Sequence, residues 1–485
     1  MSEKTSIIRK LSNQGHILVS IGAAVGIANL VLFPARVHNY GGLAFILVFV
    51  LCTLIIGVPL MIAETALGKR GQTDAVDVFD KIGGGSWKFV GFLGILTNAM
   101  VLTFYVIVSG WALYYWFLYL FDYEVISSAI TEAKNEGKPS VAGVGHFFGS
   151  FVTSPRQVIL LAAAYMAITT FIVANNIKAG LEWVSRHFIP FLALLIVGLI
   201  IVLPFVGGDL IDYSNFTFDL KPLFSLDSSG RIGIIEAVGQ SFFSLALGAC
   251  AMVTFGSHID RKTDVVKNSH FIVHSDTLVA LLGALLLIPL ISSTKSVGAD
   301  PSLVFITLVD TFHNFSAPFD RIVGVVFFTL FNFAIITSTM AMMEPSVNYL
   351  VKSRGLTRKR SALIIGTFIF IFCIPGILSF SPNSSSFFTN FLGYGNRGDG
   401  TMGYFNFILD FFGTFSLLVG AFLFSVFLWT RWSIDDLVDE LSIGGHIVSS
   451  GLKRFLKVSL LWVTPIFMIL LFIGEIIKLK FKLGL

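Results

Sequence analysis

Long apolar stretches recur from one end of this sequence to the other, and no other feature narrows its fold so far. Eleven can be marked, at residues 17–36, 43–67, 89–120, 158–173, 188–206, 232–255, 271–291, 322–350, 362–380, 405–429 and 455–477. Most reach the roughly 20 residues that an α-helix needs to cross a hydrocarbon core. In lipid every backbone N–H and C=O must be satisfied inside the protein, so such segments are expected as helices. The 485 residues are 55% hydrophobic and 13% charged, with a mean hydropathy of +0.84. That is far more apolar than a soluble domain. The expectation is an all-α membrane protein, a single domain over residues 1–485 with eleven transmembrane helices, embedded in the cell (inner) membrane.

Charge placement sets the expected orientation. With the N-terminus in the cytoplasm, about two thirds of the 33 Lys and Arg residues fall in cytoplasmic segments. The largest cluster is Lys352, Arg354, Arg358, Lys359 and Arg360. Eleven spans then place the C-terminus in the periplasm or outside the cell, although Lys478, Lys480 and Lys482 pull the other way. The net charge of +4 is spread over loops and suggests no nucleic-acid partner. Cys52, Cys250 and Cys373 all lie within spans and read as packing residues. The sequence runs straight into a full-length first span, so no cleavable signal peptide is expected. No loop carries a paired catalytic constellation, which argues against an enzyme. Longer polar loops at 122–156, 207–231, 293–321 and 381–403 are expected on the outer face, where loops of this length often act as lids.

Two spans carry breaks. The first contains GAAVGIANLVLFP, residues 22–34, with glycines, an asparagine and a proline at mid-depth. The sixth contains GQSFFSLALGAC, residues 239–250. Freed backbone carbonyls are tolerated in a bilayer only where they line a cavity or meet a partner. With repeats over about 12–206 and 232–430, and an extra helix at about 455–477, these two spans lead the two halves. Inverted five-helix repeats place their broken helices in this way.

A sodium ion takes hard oxygen ligands, as other hard cations do. The first span offers the carbonyls of Gly22, Ala24 and Val25 and the side chain of Asn29. Ser244 lies in the sixth span, Asp276 in the seventh, and Thr337, Ser338 and Thr339 beside Ala334 in the eighth. A hydroxyl inside a helix more often bonds a carbonyl one turn back. Gly22 and Gly26 also fit a helix-packing face, and Asn29 also fits a bond between helices. Asp276 favours function, because a buried acid in a span is costly without a partner or pathway. Glu64 reads as a structural hydrogen-bonding acid, and Asp410 as an acid near an outer helix end.

These residues carry a family resemblance. GAAVGIANLVLFP, then GGLAF and GVPLMIAETALG, TFYVIVSGW in the third span, EAVGQSFFSLALG in the sixth and AIITSTMAMMEP in the eighth resemble the neurotransmitter:sodium symporter family, in order over the first ten spans. The resemblance implies a LeuT-type fold, a 5+5 inverted repeat with helices one and six broken. It also implies uptake of amino acids or related amines driven by sodium. By motif position, one sodium site would use Ala24, Asn29, Ser244 and Asp276. A second would use Gly22, Val25, Ala334, Thr337 and Ser338. Asp276 supplies a fixed negative charge of the kind a bound anion supplies in chloride-dependent relatives, so chloride is expected not to be required.

The resemblance also implies a substrate pocket. Monoamine carriers of this family place an aspartate where this chain has Gly26, and its absence leaves room for a substrate carboxylate. That carboxylate would meet the Ile27 and Ala28 amides and Tyr105. The amino group would meet carbonyls of Ala24, Phe243 and Ser244. The side chain would sit among Ala23, Val101, Val108, Phe243, Ala246, Ala249, Ser338 and Met342, an apolar lining suited to a hydrophobic, even aromatic, amino acid. Departures lie at the gates. The family's arginine two residues before the proline is Leu32 here, so Arg36 is expected to reach Asp410 directly or through water, with Tyr105 and Phe243 completing the outer gate. At the inner side the family's gate positions appear as Ile7, Lys10 and Lys352, with Arg9 as a stand-in. The leading reading is a sodium-coupled importer working by alternating access. The alternative is a non-transporting amino-acid sensor or regulatory protein on the same scaffold. The apolar pocket argues against a channel.

Overall fold

The computed structural model describes residues 10–208, 228–291, 302–381, 386–393 and 403–483. Ile7 and Arg9, and parts of the outer loops at 207–231, 293–321 and 381–403, lie outside them. Among the described residues nine helices are long and apolar enough to cross a membrane, or ten if one bent pair counts as a single span. That pair is α1 (Asn13–Ala24) with the segment Ala28–Asn39, which ends in α2 (Phe33–Asn39). The others are α3 (Leu43–Gly71), α4 (Lys88–Phe121), α5 (Pro155–Ala174), α6 (Lys178–Gly207), α9 (Val265–Ile291), α10 (Phe319–Lys352), α11 (Arg358–Leu378), α12 (Gly403–Thr430) and α14 (Ser450–Ile476). The expected span at 232–255 is present as two pieces, α7 (Ser228–Ser244) and α8 (Ala251–Gly256), so the count of eleven is not reached as continuous helices.

Both breaks have local causes. Ser12 caps α1 by accepting from the Gly15 N–H, and the helix ends where Val25 turns extended at φ −77°, ψ 109°. A π-turn over Ala28–Leu32 follows, and Pro34 opens α2, where its missing N–H costs nothing. The two pieces meet at 50°. In the second break Ala246, Gly248 and Cys250 all take positive φ, of 50°, 83° and 60°. Glycine is required at 248, since an added Cβ would lie 2.3 Å from the Leu417 carbonyl oxygen. The Gly248 N–H donates to Glu64 Oε1 at 2.8 Å, so the buried Glu64 pins the break from α3.

α4 and α10 pack along each other, and α1 lies against α10, α6 and α9. Phe171, Leu194, Ile201 and Phe205 point outward and are exposed, as lipid-facing positions on α5 and α6 should be. The polar loop at 122–156 turns out to be two amphipathic helices, Tyr123–Asn135 and Ser140–Val152. Ile126 and Ile130 on the first, and Val144 and Phe148 on the second, are spaced by four residues and bury their shared faces.

At the end of the bundle that carries the N-terminus, α13 (Ile434–Ser442) starts on a capping box made by Ser433 and Asp436. It buries Leu437 and Leu441 and carries a fully buried Glu440. That carboxylate receives Arg261 Nη2 at 2.7 Å, with Arg70 Nη1 at 3.7 Å and buried Lys69 Nζ at 3.9 Å. Glu440→Ala leaves Lys69 as an unpaired buried cation. It is expected to destabilise the fold by roughly 3 kcal/mol, the lower end for a broken buried pair because the two guanidiniums stay wet. A drop in the detergent melting midpoint measures it.

Candidate functional site

The two breaks face each other in the middle of the bundle, and the predicted oxygen ligands gather around them. Asn29 Nδ2 donates to Asp276 Oδ1 at 2.8 Å, to the Asp276 carbonyl at 3.2 Å and to Ser244 Oγ at 3.1 Å. Ser244 Oγ donates to Asp276 Oδ2 at 2.7 Å. Asn29, Ser244 and Asp276 thus meet from α9 and both broken spans, and all three are buried. Asn29 Oδ1 turns back to the Gly26 N–H at 3.5 Å. Ala24 lines the adjoining cavity. A buried carboxylate held among neutral oxygens and a carboxamide suits a small monovalent cation.

The second set converges on Ser338. Its hydroxyl lies 3.0 Å from the Gly22 carbonyl, 3.0 Å from the Val25 carbonyl and 3.2 Å from the Ala334 carbonyl. Thr337 instead makes the local bonds usual for a helix, to Ala334 at 2.9 Å and Phe333 at 3.2 Å. The close approach needs Gly22, because a Cβ there would lie 2.9 Å from Thr337 Cβ.

Between these clusters lies a small cavity of about 30 Å3, lined by Ala23, Ala24, Gly26, Ala28, Val101, Tyr105, Phe243, Ala246, Ala249 and Met342 among the expected residues. Tyr105 Oη accepts from the Ile27 N–H at 2.9 Å, and Gln240 Nε2 donates to the Ala28 carbonyl at 2.9 Å. Val108 is fully buried and is not among the lining residues, since it lies one turn beyond Tyr105 on α4. The lining also includes Thr97, Asn98 and Leu417, which the sequence reading missed. Their signal was the adjacent polar pair Thr97 and Asn98 inside a largely apolar third span.

Arg36, expected at the outer gate, makes two contacts with α7. Arg36 Nε lies 3.3 Å from Glu236 Oε2, and its Nη1 donates to Gln240 Oε1. Glu236 and Gln240 stand four residues apart on one face of α7, which therefore turns toward Arg36. Asp410 lies within α12, where its first α-helical segment, Gly403–Asp410, passes into a π-turn over Phe411–Phe415.

On the inner side Lys10 Nζ stands 3.7 Å from Asp260 Oδ2, an exposed pair of small energetic weight. The Lys262 amide, and after it Lys10, hold the Asp260 carboxyl below the usual range. Shorter bonds lie elsewhere. Arg358 grips buried Glu344 with two bonds of 2.8 and 2.6 Å, and Ser12 Oγ donates to Glu182 Oε1 at 2.6 Å, fastening the start of α1 to α6.

Two broken helices meeting at mid-bundle, with oxygen clusters on either side of a small central cavity, are the arrangement expected of a LeuT-type fold. The sodium:neurotransmitter symporter family matches residues 10–135. The sodium-dependent transporter YhdH of Bacillus subtilis (strain 168) is 29% identical over 484 residues, covering 99% of this chain and all of its own. The crystal structure of MhsT in complex with L-phenylalanine superposes with a TM-score of 0.80 at 26% identity, covering 96% of this chain and 99% of that one. The rat sodium-dependent neutral amino acid transporter B(0)AT2 is 31% identical over 104 residues, 21% of this chain and 14% of its own. The chain is thus similar to the sodium:neurotransmitter symporter family over residues 10–135, and over nearly its whole length to the sodium-dependent transporter YhdH and to MhsT, whose fold it shares.

Proposed function

We propose that the chain imports a neutral, hydrophobic amino acid together with sodium by alternating access. The observation that carries this reading is the meeting of both breaks around one apolar cavity, with Asp276 on one side and the Ser338 carbonyl cluster on the other. Asn29, Ser244, Asp276 and the Ala24 carbonyl would hold one sodium ion. Gly22, Val25, Ala334, Thr337 and Ser338 would hold a second. The substrate carboxylate would bind at the Ile27 and Ala28 amides, where the start of a helical segment favours an anion, with Tyr105 beside it. Its amino group would face the ends of the broken helices at Ala24, Phe243 and Ser244. The side chain would extend along Val101, Ala246, Ala249 and Met342, where a charged group finds no partner. The binding of L-phenylalanine by MhsT, and of neutral amino acids by B(0)AT2 as its name states, supports the substrate class. The chain would lie in the cell (inner) membrane, and the placement of Lys and Arg supports a cytoplasmic N-terminus.

The test is uptake into proteoliposomes. An inward sodium gradient should drive accumulation of a radiolabelled neutral amino acid, and an equal potassium gradient should not. Sodium-dependent binding without accumulation would favour the sensor instead. Because Asp276 brings its own negative charge to the site, replacing chloride by gluconate should leave uptake unchanged; a severalfold fall would refute that chloride independence.

A further inference from the structure

The deep end of the cavity is not apolar. Asn98 lies on α4, seven residues before Tyr105 and about 10 Å from it along the helix axis at 1.5 Å per residue. Its Nδ2 donates to the Gly94 carbonyl at 3.3 Å and to the Ala249 carbonyl in the second break. Both hydrogens of the amide are therefore used, and the contact with two carbonyls identifies that end as nitrogen. The other end, Oδ1, makes no hydrogen bond among the described residues, although Asn98 is only 4% exposed and lines the cavity. The neighbouring Thr97 hydroxyl is already engaged, donating to the Leu93 carbonyl at 2.8 Å and meeting Ser416 Oγ. Beside these, Val101, Ala246, Ala249, Met342 and Leu417 bring apolar side chains to the lining.

An acceptor on the cavity wall without a protein donor is one that a ligand's donor can satisfy. The carboxylate end of an amino acid is fixed at Ile27, Ala28 and Tyr105, so its side chain must run about 10 Å down α4 to reach Asn98. An aromatic side chain with a donor at its far edge covers that length; serine and threonine are too short, and leucine and phenylalanine bring no donor. We propose that Asn98 determines specificity by accepting a hydrogen bond from the substrate side chain, so that the site prefers tyrosine or tryptophan to phenylalanine and aliphatic amino acids. This deepens the importer reading and rests on it. Asn98 acts at the substrate and also positions the second break through Ala249, so one change would blur two roles; the decisive comparison varies the ligand.

The experiment is calorimetric titration of the full chain in lipid nanodiscs with saturating sodium. L-Tyrosine is compared with L-phenylalanine and O-methyl-L-tyrosine, and L-tryptophan with 1-methyl-L-tryptophan. At least one donor-bearing ligand should bind roughly threefold to tenfold tighter than its donor-free partners, the worth of one neutral hydrogen bond. In Asn98→Ala that ratio should fall to about one, while phenylalanine still binds only in sodium. Should this variant fail to fold, the wild-type ratios alone decide. Phenylalanine binding as tightly as tyrosine and tryptophan in the wild type, or a ratio that survives in the variant, overturns the role of Asn98 and leaves the importer intact. Absence of any sodium-dependent amino-acid binding would sink the importer reading, and this inference with it.

Discussion

Asp276→Asn is expected to weaken sodium-dependent substrate binding by roughly a hundredfold, the upper end of what loss of a group in an ion's binding shell costs. The substitution keeps size and removes charge. Asp276 presents two oxygens, one to Asn29 Nδ2 at 2.8 Å and one to Ser244 Oγ at 2.7 Å. An asparagine turns one of them into an N–H2 group facing a donor. The Ser244 hydroxyl can rotate and accept; the Asn29 amide cannot without losing its own bonds. The fixed negative charge that would balance the cation also goes, in a site where all three side chains are buried and interactions are weakly screened. The measurement is the sodium concentration for half-maximal amino-acid binding, beside a melting curve. The midpoint should move by about two decades while the variant still folds. An unmoved sodium midpoint would remove Asp276 from the ion site and leave it a structural bond between α9 and the breaks.

Gly26→Ala should lower uptake by about a hundredfold through geometry alone, since two held groups must shift at once. A Cβ at this position would lie 2.2 Å from Tyr105 Oη and 2.6 Å from Ser338 Oγ. Neither can retreat freely. Tyr105 Oη holds the Ile27 N–H at 2.9 Å, and Ser338 Oγ reaches the Gly22 and Val25 carbonyls at 3.0 Å each. One methyl group therefore disturbs the proposed carboxylate seat and the second ion site together. Gly239→Ala on α7 is the control: a Cβ there meets nothing within 4 Å, and its uptake should match wild type. Comparable uptake by Gly26→Ala and Gly239→Ala would show that the Tyr105–Ser338 junction does not matter to transport.

Much of the site was legible before any coordinates. Asn29, Ser244, Asp276 and Ser338 all offer hard oxygens in apolar spans, Asp276 alone at a cost that argues for function, and the structure gathers them around the two breaks. Glu64 was read as structural, and it holds the Gly248 N–H. Thr337 shows the limit of such reading: its sequence context equals that of Ser338, yet its bonds stay within its own helix while Ser338 crosses to α1. Which of two adjacent hydroxyls crosses depends on how α10 is rotated about its axis, and a run of three polar residues does not encode that rotation. Arg36 is a second case. The chain's lack of an arginine at 32 was visible, and so was the nearest replacement; the acid that meets it, Glu236, lies 200 residues away on a helix face set by packing against α2.

By itself the sequence determined the medium, the helical class, the position of both breaks and the types of oxygen that surround them. Each follows from short-range chemistry: a lipid core forces helices, and glycine, proline and asparagine decide where a helix yields. Only the tertiary structure decided which distant groups share a contact. It put Asn98 at the foot of the cavity, Val108 outside it, Glu236 on Arg36 and three cations around Glu440. Those pairings depend on the rotation and depth of whole helices, which many packed side chains settle together and no single segment specifies.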